Sequence, residues 1–249
     1  MKSALVIGAG ITGLTTAATL KKAGVHVRVL EKSPRPGGAI QSVQRDGFLA
    51  ERGPHSLMMN NVQTAMLMGE LGLSDELLLP TDAAKNRYLF KDGKMVAVPS
   101  GPGKFLKSPL LSCGGKFRLL REPFIKKPGN LVEESLASFV TRRLGKEVLD
   151  QMAEPFVSGI YAGDPERLSA KHAFPPLVAM EDAHGSLIKG AIKSRKCKPA
   201  GSIKTMAASF KGGMHTLIDA LAAQLGEDLE CDCKVTSITQ TDRWTITWE

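Results

Sequence analysis

Cysteine and aromatic residues are scarce in this sequence, and its histidines are widely spaced. Only 4 of the 249 residues are cysteine, and 5% are aromatic. The cysteines lack both the paired spacing of a metal site and the density of a disulfide framework, and no HxH or HExxH motif occurs. We therefore expect reduced thiols and no metal site, and we assign no catalytic side chain. The cysteines are Cys113, Cys197, Cys231 and Cys233.

Charge is absent from residues 3–20, which lie between Lys2 and the pair Lys21-Lys22. An uncharged run of this length superficially resembles a signal peptide or a membrane span. This run is rich in glycine and threonine, a composition that a nucleotide-binding turn explains better. The sequence therefore predicts a cytoplasmic protein rather than an exported one.

Acidic residues are nearly absent from two segments, and these segments account for the net charge of +8. Residues 85–127 contain 11 Lys and Arg against two acids, and residues 186–211 contain seven against none. Such segments suit a solvated face, an acidic ligand, an anionic membrane surface or nucleic acid. The nearby aromatic residues are not spaced as a stacking platform, so we expect no nucleic-acid partner.

The first 31 residues have the pattern of a strand, a glycine turn, a helix, a second strand and an acid. Residues 4–8 form a short apolar strand, residues 14–24 have a helical pattern, and residues 25–31 alternate as a strand that ends in Glu31. This pattern predicts an α/β domain of the Rossmann type. The turn between the first strand and the helix is Gly8-Ala9-Gly10-Ile11-Thr12-Gly13.

Each glycine of this turn has a mechanical reason in a dinucleotide site. Gly8 permits the tight turn, Gly10 lets the backbone approach a pyrophosphate, and Gly13 lets the helix and strand pack closely. Amides at the start of the helix would face the phosphates. Glu31 is placed to accept hydrogen bonds from a ribose diol, and an acid at this position disfavours a 2′-phosphorylated cofactor. The sequence therefore predicts a dinucleotide site.

A second glycine pair follows the acid, in the run Glu31-Lys32-Ser33-Pro34-Arg35-Pro36-Gly37-Gly38-Ala39. After a predicted hairpin comes the loop Gly53-Pro54-His55-Ser56. Together these motifs resemble the superfamily of FAD-dependent amine oxidases, phytoene desaturases and protoporphyrinogen oxidases. The resemblance implies FAD, with Arg35 and the amides of Gly37 and Gly38 by the diphosphate and the 53–56 loop against the flavin. Lys32 and Ala39 are also expected to bind the cofactor. A plain turn at the glycine pair, or NAD as the cofactor, remains an alternative.

Two later runs are similar to the flavin-dependent porphyrinogen oxidases of haem synthesis. They are SGIYAGDPERLS, which begins at Ser158, and KGGMHTLIDAL, which begins at Lys211. Taken by itself, the segment 159–163 is a glycine-bounded loop where backbone can approach a flat ligand. The resemblance implies that Gly159, Ile160, Tyr161 and Ala162 lie over the flavin in the substrate cavity.

The same resemblance implies two further contacts. Arg87, in the triplet Asn86-Arg87-Tyr88, matches the position where an arginine meets a substrate propionate, and a guanidinium binds carboxylate in a bidentate manner. Val235 matches the position whose backbone meets the adenine. The histidines outside the 53–56 loop, including His172, are interpreted as structural residues.

The activity implied by the resemblance is oxidation of protoporphyrinogen IX to protoporphyrin IX with FAD and O2. This is a six-electron reaction made of three hydride transfers, for which no dedicated side-chain base is required. Three alternatives stay open. They are oxidation of coproporphyrinogen III to coproporphyrin III, the chemistry of an amine oxidase or carotenoid desaturase, which the basic segments disfavour, and a non-catalytic flavin-binding fragment.

The implied architecture is an FAD-binding domain of the glutathione-reductase type with an inserted helical and mixed substrate domain. We expect the FAD-binding domain in residues 1–84 and 206–249 and the basic insertion in residues 85–205. Family members continue for roughly as many residues again, so a truncated chain that binds FAD weakly and turns over little is expected. A longer chain or a second polypeptide would then supply the remainder. A homodimer also stays open.

Local patterns predict a few more elements. Helical patterns occur at residues 61–72 and 131–150, and Asp92-Gly93 marks the turn of a short hairpin. Between residues 110 and 127, leucine and phenylalanine alternate with lysine and arginine. Such a stretch suits either the core of its own domain or peripheral contact with the inner face of a cell membrane.

Overall fold

The computed structural model describes residues 2–99, 101–129, 133–196 and 206–249, and it confirms the predicted α/β fold class. The chain forms two compact units, which we call unit 1 (Met1–Thr81 with Ile203–Glu249) and unit 2 (Asp82–Ser202). The boundaries predicted from the sequence, 84/85 and 205/206, each lie three residues after those of the units. Cys197 and the rest of the basic segment between residues 197 and 205 lie outside the described residues.

The strands of the described residues are short, and most of them belong to unit 1. In chain order they are β1 (Ser3–Ile7), β2 (His26–Leu30), β3 (Ser42–Arg45), β4 (Phe48–Glu51), β5 (Leu57–Met59), β6 (Leu77–Leu78), β7 (Tyr88–Lys91), β8 (Lys94–Ala97), β9 (Met206–Phe210), β10 (Leu229–Glu230), β11 (Val235–Gln240) and β12 (Trp244–Trp248).

Most of the helices belong to unit 2. In chain order they are α1 (Ile11–Lys22), α2 (Val62–Glu70), α3 (Pro102–Lys107), α4 (Cys113–Leu120), α5 (Leu136–Leu144), α6 (Lys146–Val148), α7 (Glu154–Tyr161), α8 (Ala170–Ala173), α9 (Pro175–His184), α10 (Leu187–Lys196) and α11 (His215–Leu225). A π-helical turn, Leu149–Ala153, joins α6 to α7.

Unit 1 contains a parallel sheet in the order β1-β2-β10. Ala4 lies opposite Val27 in its register, and Leu229 lies opposite Val29. A second, antiparallel sheet has the order β5-β9-β6, while β3 with β4 and β11 with β12 form antiparallel pairs. The parallel sheet therefore joins the first 30 residues of the chain to a strand that follows α11.

The core of unit 1 lies between its parallel sheet and two helices, α1 and α11. Leu14 on α1 and Ile218 and Leu221 on α11 are fully buried, and they pack with Val29 of β2. The buried residues of α11 recur every three or four positions, which places them on one face of the helix. Each such aliphatic side chain contributes about 1.5–3 kcal/mol when it leaves water.

Unit 2 begins with the predicted hairpin, which the structure confirms. β7 pairs with β8, and both turn residues have positive φ, 48° at Asp92 and 75° at Gly93. These angles match the type I′ turn that joins two-residue hairpins. The remaining elements of the unit are helices that pack around the buried face of α5, which presents Leu136, Phe139 and Val140.

Buried charges also connect the helices of unit 2. Arg143 on α5 is fully buried, and its Nε lies 2.9 Å from Oε1 of Glu181 on α9. Its Nη1 lies 3.5 Å from Glu122, which accepts hydrogen bonds from Ser186 Oγ and from the amide of Leu187 at the start of α10. A carboxylate at this helix start is favoured by the helix dipole. The network therefore fixes α5, α9 and α10 relative to one another.

The predicted helix 131–150 is wrong in its extent. The described helix α5 begins at Leu136 and ends at Leu144, because Gly145 has a φ of 99°, which interrupts the helix. The chain then continues as α6, the π-helical turn and α7. The predicted helix 61–72 corresponds to α2, which ends two residues earlier, at Glu70.

Candidate functional site

The glycine turn between β1 and α1 brings the end of a strand against the start of a helix. Gly8 has a φ of 96°, and its amide donates a hydrogen bond to the carbonyl of Leu30 at 2.7 Å. A side chain at Gly13 would overlap the carbonyl oxygen of Gly8. The turn therefore depends on glycine at both positions, for its backbone angle at one and for close packing at the other.

The space in front of α1 is open. A Cβ built on Gly10 would meet no atom within 4 Å. Helix α1 begins at Ile11, followed by Thr12, and its first turn has neither a side-chain cap nor an acidic residue. Free amides at the positive end of a helix attract an anion. The residues present thus fit a pyrophosphate group bound at this position.

Glu31 lies directly after β2 and is only 6% exposed. Its Oε2 accepts a hydrogen bond from the amide of Ala9 at 2.7 Å, and its Oε1 accepts one from the amide of Ser33 at 2.9 Å. Burial raises the pKa of this carboxyl, but the two amide hydrogen bonds, the Ser33 hydroxyl and the charge of Lys32 together more than offset this effect, so the pKa lies below its ordinary value. Glu31 is therefore an ionised acceptor beside the glycine turn.

The second glycine pair lies against the first turn. The amide of Gly37 donates to the carbonyl of Ala9 at 2.7 Å, and Gly10 and Gly37 form an isolated parallel bridge. Gly37 and Gly38 both have positive φ, 107° and 56°. Non-glycine residues rarely adopt these angles. The fold thus brings together two glycine motifs that are about 25 residues apart in sequence.

Arg35 is held in place by the backbone of the same turn. Its guanidinium donates to the carbonyls of Pro36, Gly38 and Ile40 at 3.2 to 3.3 Å and to the side chain of Gln41 at 3.2 Å. None of these partners is charged, so the cation of Arg35 keeps its full charge beside the glycine pair. The neighbouring Lys32 is exposed.

The loop Gly53 to Ser56 packs closely against the backbone of Ala39, the residue after the second glycine pair. A side chain at Gly53 would overlap the carbonyl oxygen of Ala39. In the loop itself Pro54 and His55 are exposed, and Ser56 is partly buried.

Val235 is the first residue of β11 and lies opposite Trp248. Two residues earlier, the amide of Cys233 donates to the carbonyl of Glu31 at 2.8 Å, which places the start of β11 near the acid.

Two residues that the sequence analysis missed support this arrangement. Glu51 accepts hydrogen bonds from the amide of Met214 and from Ser42 Oγ, both at 2.8 Å, and the amide of His215 donates to Ser42 Oγ at 2.9 Å. The side chains of the β3–β4 hairpin thus cap α11. A glycine pair followed by a helix without a capping residue of its own was the available signal, because the start of such a helix needs acceptors from elsewhere.

Unit 2 contains an apolar cavity of about 600 Å³. Arg87 is the one charged residue in its described lining, which contains no acidic residue. The rest of the wall consists of aliphatic and aromatic side chains. These include Leu136, Val140, Leu144, Phe156 and Phe174. The sequence analysis missed the two phenylalanines, since nothing in their local pattern distinguishes a cavity wall from a core.

The segment 159–163 is not the glycine-bounded loop that its sequence indicated. Gly159, Ile160 and Tyr161 form the last turn of α7, and Ala162 ends the helix with a left-handed φ of 46°. These residues do not line the described apolar cavity, and the backbone of Gly159 is part of a helix. Tyr161 approaches the cavity indirectly, because its ring lies 5.5 Å from that of Phe174.

Two further observations limit the kinds of site in the described residues. They contain no group of three or more His, Cys, Asp or Glu side chains that could hold a metal ion. Within the same ranges no helix is both long enough and apolar enough to cross a membrane.

Comparison with known proteins identifies relatives over nearly the whole chain. The mitochondrial protoporphyrinogen oxidase of Nicotiana tabacum is 37% identical, and the match covers 98% of this chain and 53% of the relative. The coproporphyrinogen III oxidase of Bacillus subtilis (strain 168) is 34% identical, with coverages of 95% and 52%. The chain therefore spans about half the length of the curated relatives it matches.

Solved structures agree with this placement. A crystal structure from Exiguobacterium sp. 255-15, described as that of a "Putative protoporphyrinogen oxidase", has a TM-score of 0.77 and 25% identity, and the match covers 100% of this chain and 56% of that one. A putrescine oxidase structure shares the fold, with a TM-score of 0.64 at 19% identity. The model of the family described as flavin containing amine oxidoreductase matches residues 11–248. The chain belongs to this flavin-containing amine oxidoreductase family.

Proposed function

We propose that FAD binds unit 1 through the two glycine motifs and Glu31. The open space at Gly10 and the uncapped start of α1 accommodate the diphosphate, with the cation of Arg35 nearby. Glu31, ionised and close to the turn, accepts hydrogen bonds from the ribose hydroxyls. The 53–56 loop lies on the flavin side of the site, and the backbone of Val235 contacts the adenine.

We further propose that the protein acts in the oxidation of protoporphyrinogen IX to protoporphyrin IX. The observation that carries this proposal is the apolar cavity of unit 2, which has Arg87 in its wall and no described acidic residue. A flat apolar tetrapyrrole with propionate arms matches such a cavity, because the ring leaves water and a guanidinium pairs with a carboxylate. A cationic amine would find no counter-charge there.

The chain's own residues then perform binding and exclusion rather than acid-base chemistry. Arg87 orients the substrate through a propionate, and the apolar wall around Phe156 and Phe174 keeps water away from the bridge carbons. When bound, FAD supplies the acceptor for three successive two-electron oxidations. With O2 as the final acceptor, one porphyrinogen and three O2 give one porphyrin and three hydrogen peroxide molecules.

We also propose that the protein is cytoplasmic and contacts a membrane surface peripherally. Phe117, Leu120 and Phe124 are 64%, 61% and 84% exposed, in the segment that is rich in lysine and arginine. Apolar side chains among bases favour the headgroup region of an anionic bilayer. Sedimentation with vesicles that contain anionic lipid tests this, and a chain that stays in the supernatant contradicts it.

The deciding experiment is a two-step assay of the 249-residue chain expressed with ample riboflavin. Absorption bands of oxidised flavin after desalting support the cofactor site. Protoporphyrinogen IX and coproporphyrinogen III are then offered under air, and porphyrin fluorescence and hydrogen peroxide are measured. Because the chain spans about half the length of its relatives, we expect slow turnover, with porphyrin and about three equivalents of peroxide formed faster from protoporphyrinogen IX.

The other outcomes separate the alternatives. Faster oxidation of coproporphyrinogen III assigns the tetracarboxylate as the substrate. A yellow chain without porphyrin formation contradicts catalysis by this chain and supports a flavin-binding fragment. A folded chain that binds no FAD, even when FAD is added in excess, contradicts the cofactor site.

A further inference from the structure

A second, polar cavity of about 360 Å³ adjoins the apolar cavity in unit 2. Arg87 and Val98 line both cavities, so they form a shared wall. The polar cavity is also lined by Lys104 and Lys107 of α3 and by Ser108, while no described acidic residue lines it. Three cations thus surround one small space next to an apolar chamber.

These cations have no counter-charge within the described chain. The side chains of Arg87, Lys104 and Lys107 make no hydrogen bond or ion pair with the described residues, so their charges are available to a ligand. Neither of the two acids of the segment 85–127 lines this cavity. Asp92 forms the β7–β8 turn, and Glu122 is buried and bonded to the start of α10. The cavity therefore carries an uncompensated positive potential.

We propose that Lys104 and Lys107 form a second carboxylate subsite beside Arg87. This inference rests on the proposed function. With the apolar body of a porphyrinogen in the larger cavity, Arg87 binds one propionate, and the lysine pair receives the adjacent propionate on the same edge of the ring. Ammonium groups bind carboxylates through charge-assisted hydrogen bonds. The subsite thus selects substrates that carry two neighbouring acidic arms.

The test is a fluorescence titration of the chain with protoporphyrin IX, the stable dicarboxylate product, and with its dimethyl ester. The double variant Lys104→Gln/Lys107→Gln is compared with Lys126→Gln/Lys193→Gln, which removes the same charge from exposed positions that line neither cavity. We expect the subsite variant to bind the dicarboxylate about tenfold more weakly and the ester as the wild type does. The control variant should bind both ligands as the wild type does.

Three results overturn the inference. If the subsite variant binds the dicarboxylate with unchanged affinity, the lysine pair is not a carboxylate subsite. Porphyrin binding and the proposed function are not contradicted by that result. An equal loss in the control variant assigns the effect to net charge alone. Failure of the wild-type chain to bind either porphyrin contradicts the proposed function, and the subsite falls with it. Unfolding curves that coincide for all three proteins exclude misfolding as the cause of a loss.

Discussion

The carboxylate of Glu31 accepts a hydrogen bond from the amide of Ala9 at 2.7 Å. This bond joins the residue after β2 to the turn after β1, two strands that lie side by side with Ile7 opposite Leu30. The acid thus does two things at once. It fixes the shape of the glycine turn, and it keeps an ionised acceptor in the proposed nucleotide site.

The first prediction concerns the charge of Glu31. The variant Glu31→Gln should lose about 1–2 kcal/mol in free energy of unfolding at pH 7, because two amides lose an ionised acceptor. The folded-state pKa is below the ordinary value of 4.5, so this contribution is present above pH 4.5 and is lost as the pH falls through the folded pKa. Denaturant unfolding of the wild type and the variant at pH 7 and below pH 4 measures the loss in free energy of unfolding and its dependence on pH. A difference between wild type and variant that grows in acid would contradict this account.

The second prediction separates two glycines of one turn. Gly13→Ala should lower the free energy of unfolding by about 1–3 kcal/mol, because its methyl group overlaps the carbonyl of Gly8. Gly10→Ala has room for its methyl group and should unfold nearly as the wild type does, yet retain less flavin. Denaturant unfolding and the flavin absorbance of desalted protein test the pair. Flavin retention by Gly10→Ala at the wild-type level argues against the diphosphate position.

The third prediction concerns Arg87 in the apolar cavity. Arg87→Met should weaken binding of protoporphyrin IX about tenfold, because a buried propionate loses its cation, while its dimethyl ester binds as before. Arg121→Met, which changes an exposed arginine outside the cavity, is the matched control. Fluorescence titration measures both, and equal binding by the two variants removes Arg87 from the proposed site.

The fourth prediction concerns the buried charges of unit 2. Arg143→Met leaves the buried Glu122 without its cation and leaves Glu181 with Arg142 alone, and it should cost about 3–5 kcal/mol in free energy of unfolding. Lys146→Gln, which removes an exposed pair with Asp150, should leave the unfolding transition unchanged. Denaturant unfolding followed by circular dichroism tests this. The double variant Arg143→Met/Glu122→Gln should be less destabilised than Arg143→Met, and a larger loss would contradict the charge explanation.

The proposed nucleotide site of unit 1 was accessible from the sequence because its signals are local. Apolar alternation marked β2, glycine spacing marked the turn, and the position of Glu31 followed from the same short unit. The Asp92-Gly93 hairpin was equally local, since its turn type depends on two residues that tolerate positive φ.

The apolar cavity of unit 2 and the helices around it were less accessible from the sequence, because glycine and arginine each occur in more than one structural role. Gly145 interrupts a segment that was predicted to be one helix. Gly159, by contrast, lies within α7, in a segment that was predicted to be a loop. Arg143 is fully buried, while Arg121 nearby is exposed, and no neighbouring residue in the sequence distinguishes them. The environment of Arg143 depends on contacts with Glu181 on α9 and with Gly185, which lie about 40 residues further along the chain.

Unit 1 is assembled from two stretches of chain, and this has a consequence for biosynthesis. Leu229 of β10 pairs with Val29 of β2, and β9 lies between β5 and β6. Both sheets are therefore completed only by strands from the second stretch of unit 1. Unit 2 is one continuous stretch that is translated before β9. Closing loops this long slows folding. The helical insertion is therefore translated in full before unit 1 has all of its strands, and the proposed flavin site is completed only after β10 has been translated.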